Sequence, residues 1–278
     1  MSLLQAVILA LVQGLTEFLP VSSTAHLYLF PWLLGWDDPG ISFTVAVHAG
    51  TLVAVLLYFF RTWLELLLCG IGLHYPAHAP VEQVRISRRI FWYLVAATIP
   101  AGLVGLFAEG YIATSFRSPI LMGGMLIVVG GIMWWAEKRI AHNRAIDSLS
   151  LTDAMVIGIA QAVALVPGVS RSGATIVAGL WRGLTREAAA RFTFLLSTPI
   201  IAGAAVLTIF DLRHNPPSGA RVEALALGFL VSAISGYLVI AFFLRYLQTR
   251  TLKIFIYYRI LFGIVILLLA CLHMGHAR

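Results

Sequence analysis

The chain has 278 residues, 60% of them hydrophobic and only 11% charged, with a formal net charge of +7. Soluble domains carry about 45–50% apolar and about 25% charged residues, so this composition excludes a water-soluble protein and indicates a polytopic membrane protein. The basic residues are scattered over short loops rather than gathered in a block with interleaved aromatics, so they read as membrane topology and not as a nucleic-acid surface.

In chain order, the first apolar stretch, about 2–35, is broken in its middle by "LPVSST". Its start lacks a basic leader and a small-residue cleavage site, so it is expected to stay in the mature protein. Three uninterrupted stretches follow, about 41–60, 90–108 and 119–137, each near the roughly 20 residues a bilayer requires. A second broken stretch at 153–186 carries "VPGVSRSG", and three more spans are expected at about 191–212, 222–244 and 254–273. Irregular backbone survives at membrane depth only against protein or a wet cavity, so both broken stretches are expected to be re-entrant helix hairpins. The glycines of "LMGGM" and "VVGG" suit close helix packing, and Trp32, Trp36, Trp134 and Trp135 suit the membrane interface. Cys69 and Cys271 lack any CxxC or Cys/His ligand spacing, which implies neither a disulfide framework nor a zinc site.

The two hairpins resemble each other. At an offset of 148, Ala6 falls on Ala154, Gln13 on Gln161, Val21 on Val169, Ser22 on Ser170 and Ala25 on Gly173, with Pro20 on Pro167 after a one-residue slip. "SFTVAVHAGTLVAVLLYF" likewise pairs with "RFTFLLSTPIIAGAAVL". The expected fold is therefore all-α: six transmembrane helices and two re-entrant hairpins forming one membrane domain of two units, 1–150 (hairpin 1–36) and 151–278 (hairpin 153–186). Three spans per unit make the second copy enter from the opposite side, an inverted repeat with its site near the midplane. Of the 19 Lys and Arg, only Arg117, Arg213, Arg221 and Arg278 fall on one side, Arg171 and Arg259 lie within segments, and the rest share the other side. The positive-inside rule places that richer side in the cytoplasm and both termini outside.

Charge at membrane depth is costly and usually functional, which singles out Glu17 and Arg171. Arg171 offers a forked, permanent cation suited to phosphate oxygens. Gly168 and Gly173 allow close backbone approach, and a helix starting near Ser172 would aim its positive end at the same anion. Ser170, Ser172 and Thr175 complete an expected phosphate-binding loop. In the first hairpin Ser23 and His26 are three apart and share a helical face, making a hydroxyl and a base neighbours. Gln13 and Glu17 share a face of the preceding helix. Glu17 could orient His26, take a proton, or hold a divalent cation, Mg2+ or Ca2+. Ser22, Ser170 and Ser172 are also candidates for helix N-caps.

"QGLTEFLPVSSTAHL" at 13–27, "PGVSRSGAT" at 167–175 and "LTREAAARFTFLLSTP" at 184–199 resemble the signature segments of the undecaprenyl-diphosphate phosphatase family of the bacitracin-resistance type. The resemblance covers most of the chain. It implies removal of the terminal phosphate of the C55 polyprenyl diphosphate, which regenerates the monophosphate carrier for peptidoglycan and other envelope polymers. It implies a multi-pass protein of the bacterial inner membrane with a site opening to the periplasm. Carried over by position, the family's acidic pair falls on Gln13 and Glu17, its hydroxyl and histidine on Ser23 and His26, and its phosphate loop on Ser170, Arg171 and Thr175. Gln13 stands where many members have Glu and Ala25 where many have Gly, so the catalytic load is expected on Glu17. Arg191 matches a recurrent family position but is expected at the cytoplasmic end of a span.

The expected chemistry is phosphoanhydride hydrolysis, with Ser23 as nucleophile, His26 as base and Glu17 orienting it; attack by His26 or by a water it activates stays open. The expected partners are the polyprenyl diphosphate and membrane lipids, with no nucleic acid and no organic cofactor; the oligomeric state is open, a dimer included. A lipid flippase would use the same architecture and differs in releasing no phosphate. An intramembrane serine protease would want a GxSG element where this chain has Gly168-Val169-Ser170-Arg171. The other polyprenyl phosphatase superfamily would place a His five residues after Ser-Arg, and here "SGATIVAG" follows.

Overall fold

The computed structural model describes residues 1–116, 118–139, 143–214 and 222–276. Arg117, Arg221 and Arg278 of the charge tally lie outside the described residues, and the side chains of Arg139 and Arg213 do as well. The described chain folds as α1 (Leu3–Phe18), α2 (Ser23–Leu34), α3 (Gly40–Tyr58), α4 (Phe60–Gly70), α5 (Val81–Ser115), α6 (Pro119–Arg139), α7 (Leu151–Val163), α8 (Arg171–Trp181), α9 (Arg186–His214), α10 (Val222–Thr249) and α11 (Lys253–His276).

Six of these, α3, α5, α6, α9, α10 and α11, are long and apolar enough to cross a bilayer, at the positions hydropathy indicates. The protein is an all-α, multi-pass membrane protein. Its polarity is that of a protein dissolved in lipid: Leu103, Phe107, Leu261 and Leu268 are exposed, whereas Gln13, Glu17, His26, Ser172, Thr175 and Arg259 are buried. Helix α4 goes beyond the expected elements. The backbone turns at Phe59, and Leu66, Cys69 and Gly70 then face inward at helical spacing, where a side chain at Gly70 would strike Phe91 of α5.

The four shorter helices form two broken pairs, α1–α2 and α7–α8. A Ser-led capping box starts each pair, at Ser2 with Gln5 and at Ser150 with Asp153, and the two starts lie 148 residues apart. The second helix of each pair begins at a serine with positive φ, Ser22 (75°) and Ser170 (76°), again 148 apart. Left-handed backbone is uncommon outside glycine, so the shared geometry marks two chain reversals made by the same device.

The packing interleaves the two halves: α1 lies along α10, α7 along α5, α3 against α9, and α6 against α11. Small residues allow these close approaches. Gly158 meets the Ala97 backbone, Gly14 meets Ser235, and Gly123 and Gly263 face each other between α6 and α11. In the "LMGGM" and "VVGG" runs, Gly123 and Gly130 pack on α11, whereas Gly124 and Gly131 face open space.

Candidate active site

The tips of the two helix pairs meet. Leu19 and Pro20 of the first reversal face Gly168, Val169 and Ser172 of the second, and three contacts hold them together. Ser172 Oγ donates to the Leu19 carbonyl at 2.9 Å. Arg171 Nη2 donates to Glu17 Oε1 at 2.9 Å. Arg259, from α11, is fully buried and donates to the carbonyls of Pro20 (3.1 Å), Gly168 (3.1 Å), Val169 (3.0 Å) and Leu126 (3.0 Å), with Met133 Sδ at 3.3 Å.

Arg259 thus stitches both reversals to α6 and α11 with no carboxylate among these partners. Each hydrogen bond from a charged donor contributes about 1.5–3 kcal/mol, which offsets the cost of a cation at this depth. The loop glycines make room for this arrangement. Gly168 (φ 92°) lies against the Met122 backbone, and a side chain at Gly173 would come within 2.8 Å of Arg259 Nη1. Sequence reading expected these glycines to admit a ligand to the backbone; in the fold they admit α6 and Arg259. Arg259 itself escaped that reading, although a lone charge inside an apolar span was the available signal.

Around Glu17 both carboxylate oxygens are engaged. Oε1 takes Arg171, and Oε2 accepts from Ser23 Oγ at 2.6 Å and from Gln13 Nε2 at 3.0 Å. His48 of α3, a residue the motifs did not single out, places Nε2 at 3.7 Å from the same Oε2. Ser23, Glu17 and Arg171 therefore form one polar cluster, as their spacing and depth implied. Two atoms of the cluster are buried without a partner among the described residues: Arg171 Nη1 and Gln13 Oε1. Gln161, which pairs with Gln13 at the offset of 148, likewise has both amide atoms buried and unpartnered.

His26 departs from the expected role. Its Nδ1 lies 2.7 Å from the Ser22 carbonyl, which only accepts, so Nδ1 carries the proton; its Nε2, 2.7 Å from the Tyr258 hydroxyl, accepts from it. The ring stacks on Phe262 at 4.7 Å. Glu17 thus orients Ser23 and not His26, because bonding to the carbonyl one turn back lays the imidazole along its own helix toward α11.

The expected phosphate loop narrows as well. Ser22 and Ser170 are N-caps, accepting from Ala25 N (3.4 Å) and Gly173 N (3.1 Å). Thr175 Oγ1 donates to the Arg171 carbonyl at 2.7 Å and accepts from Thr193 at 3.0 Å. Together with Ser172, these hydroxyls hold the reversal in shape, which leaves Arg171 as the residue of the loop facing the Glu17 cluster. Arg191 lies elsewhere, at the start of α9, paired with Glu187 at 2.8 Å.

A divalent cation fits Glu17 poorly. Every partner of the carboxylate is a hydrogen-bond donor or the His48 ring, and a metal there would sit against the like charge of the Arg171 guanidinium. Among the described residues no group of three or more His, Cys, Asp or Glu could hold a metal ion.

The sequence profile described as "Bacitracin resistance protein BacA" matches residues 6–265. The chain is 46% identical over 266 residues to the undecaprenyl-diphosphatase of Moorella thermoacetica, covering 96% of this chain and 97% of that protein. It is 43% identical over 271 residues to the undecaprenyl-diphosphatase of Desulforudis audaxviator, covering 96% and 98%. It is 46% identical over 279 residues to undecaprenyl-diphosphatase 2 of Stutzerimonas stutzeri, covering 97% and 98%.

Proposed function

We propose a function and mechanism from one premise: the chain belongs to the bacitracin resistance protein BacA family. It is an undecaprenyl-diphosphatase, a hydrolase that releases the terminal phosphate of the C55 polyprenyl diphosphate and returns undecaprenyl phosphate to envelope synthesis.

The mechanism is our own reading, and one observation carries it. Arg171 is held by Glu17 through one guanidinium nitrogen while the other, Nη1, is buried and unpartnered beside Ser23 and Glu17's cluster. A permanent cation with a free donor suits a phosphoryl group, for which positioning and charge stabilisation do most of the catalytic work. Ser23 Oγ attacks the terminal phosphorus and undecaprenyl phosphate leaves. Glu17 Oε2, already accepting the Ser23 hydrogen bond, takes the proton. Water then hydrolyses the phosphoserine. Arg259 holds the two reversals in register, His26 ties the first of them to α11, and no step runs through a metal.

The two helix pairs are read as re-entrant hairpins, because 16, 12, 13 and 11 residues are too few to span about 30 Å of hydrocarbon. The matched capping boxes and serine reversals support two inverted units, 1–150 and 151–278. The charge asymmetry supports both termini outside, and family membership is the ground for reading the bacterial inner membrane and a site that opens outward. The test is phosphate release from the C55 polyprenyl diphosphate by the purified protein in detergent. Wild type is expected to release it and Arg171→Ala to lose at least about 100-fold in rate; a wild-type protein that binds the lipid and releases nothing sinks the hydrolytic reading.

A further inference from the structure

Ser23's proton needs a destination beyond Glu17. A carboxylate that keeps the first proton cannot take the second from the water that cleaves the phosphoserine. The two histidines near the site differ in their capacity to help. His26 is 1% exposed and both ring nitrogens are occupied, by the Ser22 carbonyl and the Tyr258 hydroxyl. Among the described residues His48 has only one nitrogen hydrogen-bonded: Nδ1 lies 2.8 Å from the Thr44 carbonyl and so carries the ring's proton. Its Nε2 then presents a lone pair toward Glu17 Oε2 at 3.7 Å. That separation exceeds a hydrogen bond by about half an ångström, within the adjustment of a side chain. Its side chain is 24% exposed, whereas that of Glu17 is 3% exposed.

We infer that His48 is the proton relay of the site, carrying the proton from the enclosed Glu17 carboxylate to its own more exposed ring. This inference rests on the Ser23–Glu17 reading above. In the first half-reaction the Ser23 oxygen–phosphorus bond forms and the bridging phosphorus–oxygen bond breaks, undecaprenyl phosphate leaving with that electron pair. The Ser23 proton passes to Glu17 Oε2 and on to His48 Nε2, which restores the carboxylate. In the second, water attacks the phosphoserine and gives one proton to Glu17, which returns it to the departing Ser23 oxygen. The other water proton stays on the released phosphate, and His48 releases its proton to solvent. The geometry suits the transfer: the Nε2 lone pair lies where it can accept from a protonated Glu17, and the ring that results lies beside the restored carboxylate.

His48 reaches the chemistry through Glu17, so its test must separate relay from support. His48→Gln keeps a similar volume but cannot carry the proton, and the expected result is a fall in kcat of about 10-fold or more with KM within about twofold of wild type. His48→Ala is expected to lose as much and to recover part of its kcat in added imidazole. Wild-type kcat in His48→Gln overturns the relay. A kcat loss in His48→Ala that imidazole fails to relieve, or a KM rise matching the loss, makes His48 structural and overturns it too. Should His48→Ala fail to fold, His48→Gln decides alone. Ser23→Ala is assayed beside them: full turnover there sinks the nucleophile reading itself, whereas a dead Ser23→Ala with an unimpaired His48→Gln sinks only the relay.

Discussion

Ser23 Oγ and Glu17 Oε2 are 2.6 Å apart, with the serine donating, so the proposed nucleophile already rests on its proposed proton acceptor. Glu17→Gln leaves a neutral amide that cannot take the proton. The expected outcome is a kcat loss of about 100-fold to 10,000-fold. It is checked by steady-state phosphate release, with an unfolding midpoint to show that the protein is intact. Turnover within about threefold of wild type would remove Glu17 as the base.

In the proposed mechanism Arg171 acts through two nitrogens, one on Glu17 and one without a partner among the described residues. Lysine keeps the charge but is a point donor that cannot serve both directions. Arg171→Lys is therefore expected to lose about 10-fold or more in kcat/KM. Equal kcat/KM in the two proteins would show that the charge alone matters.

Arg259 ties both reversals together through the main-chain carbonyls of Pro20, Gly168 and Val169. Each buried carbonyl left without its donor costs about 1–3 kcal/mol. Arg259→Met is expected to lower the unfolding midpoint by about 10 °C and to abolish turnover, because the Glu17 and Arg171 halves lose their register. An undisturbed midpoint would mean that the other tip contacts suffice.

Asp153, fully buried at the start of α7, receives Arg144 at 2.8 Å and Arg182 at 2.5 Å, as well as the Ser150 backbone at 2.9 Å. Burial pushes its carboxyl up, but the hydrogen bonds from Arg144, Ser150 and Arg182 outweigh it and hold it well below the usual carboxylate range. A depressed folded-state value means that the contribution is complete above the ordinary carboxylate pKa of about 3.9 and fades as pH falls below it. Asp153→Asn is expected to lower the unfolding midpoint at pH 7 by about 3–6 °C, allowing for the partly exposed arginines. The gap from wild type should shrink below about pH 4, and a gap that stays constant down to pH 3 would contradict the ion-pair account.

If no cation sits on Glu17, the ligand-free protein should unfold at the same temperature in EDTA as in millimolar Mg2+ or Ca2+, within about 1 °C. Anything that binds only the folded state raises the midpoint. A rise of several degrees in either cation, abolished by Glu17→Gln, would restore a metal to that carboxylate.

Much of this protein was legible in its sequence because the bilayer constrains local pattern so tightly. Hydropathy located the six spans, since an apolar run of fixed length is the thermodynamic requirement for crossing. Glu17, Ser23 and Arg171 stood out because polar groups between apolar runs need a reason to be there. The serine reversals were readable as likenesses at one offset, which is why Ser22 and Ser170 could be named before their backbones were seen. What the sequence left open is what long-range packing decides. Two polar groups three residues apart share a helical face, yet the His26 ring turned to the carbonyl one turn behind it and to Tyr258, 232 residues away, leaving Ser23 to Glu17. Ser170, Ser172 and Thr175 carry phosphate-binding chemistry in any sequence reading, and only the fold showed their hydroxyls engaged by caps and carbonyls. Arg259 and His48 sit in apolar spans with no neighbouring motif, and their meaning lies wholly in partners brought to them by tertiary structure, because the main-chain carbonyl or carboxylate a side chain meets across a helix interface is not encoded in the residues beside it.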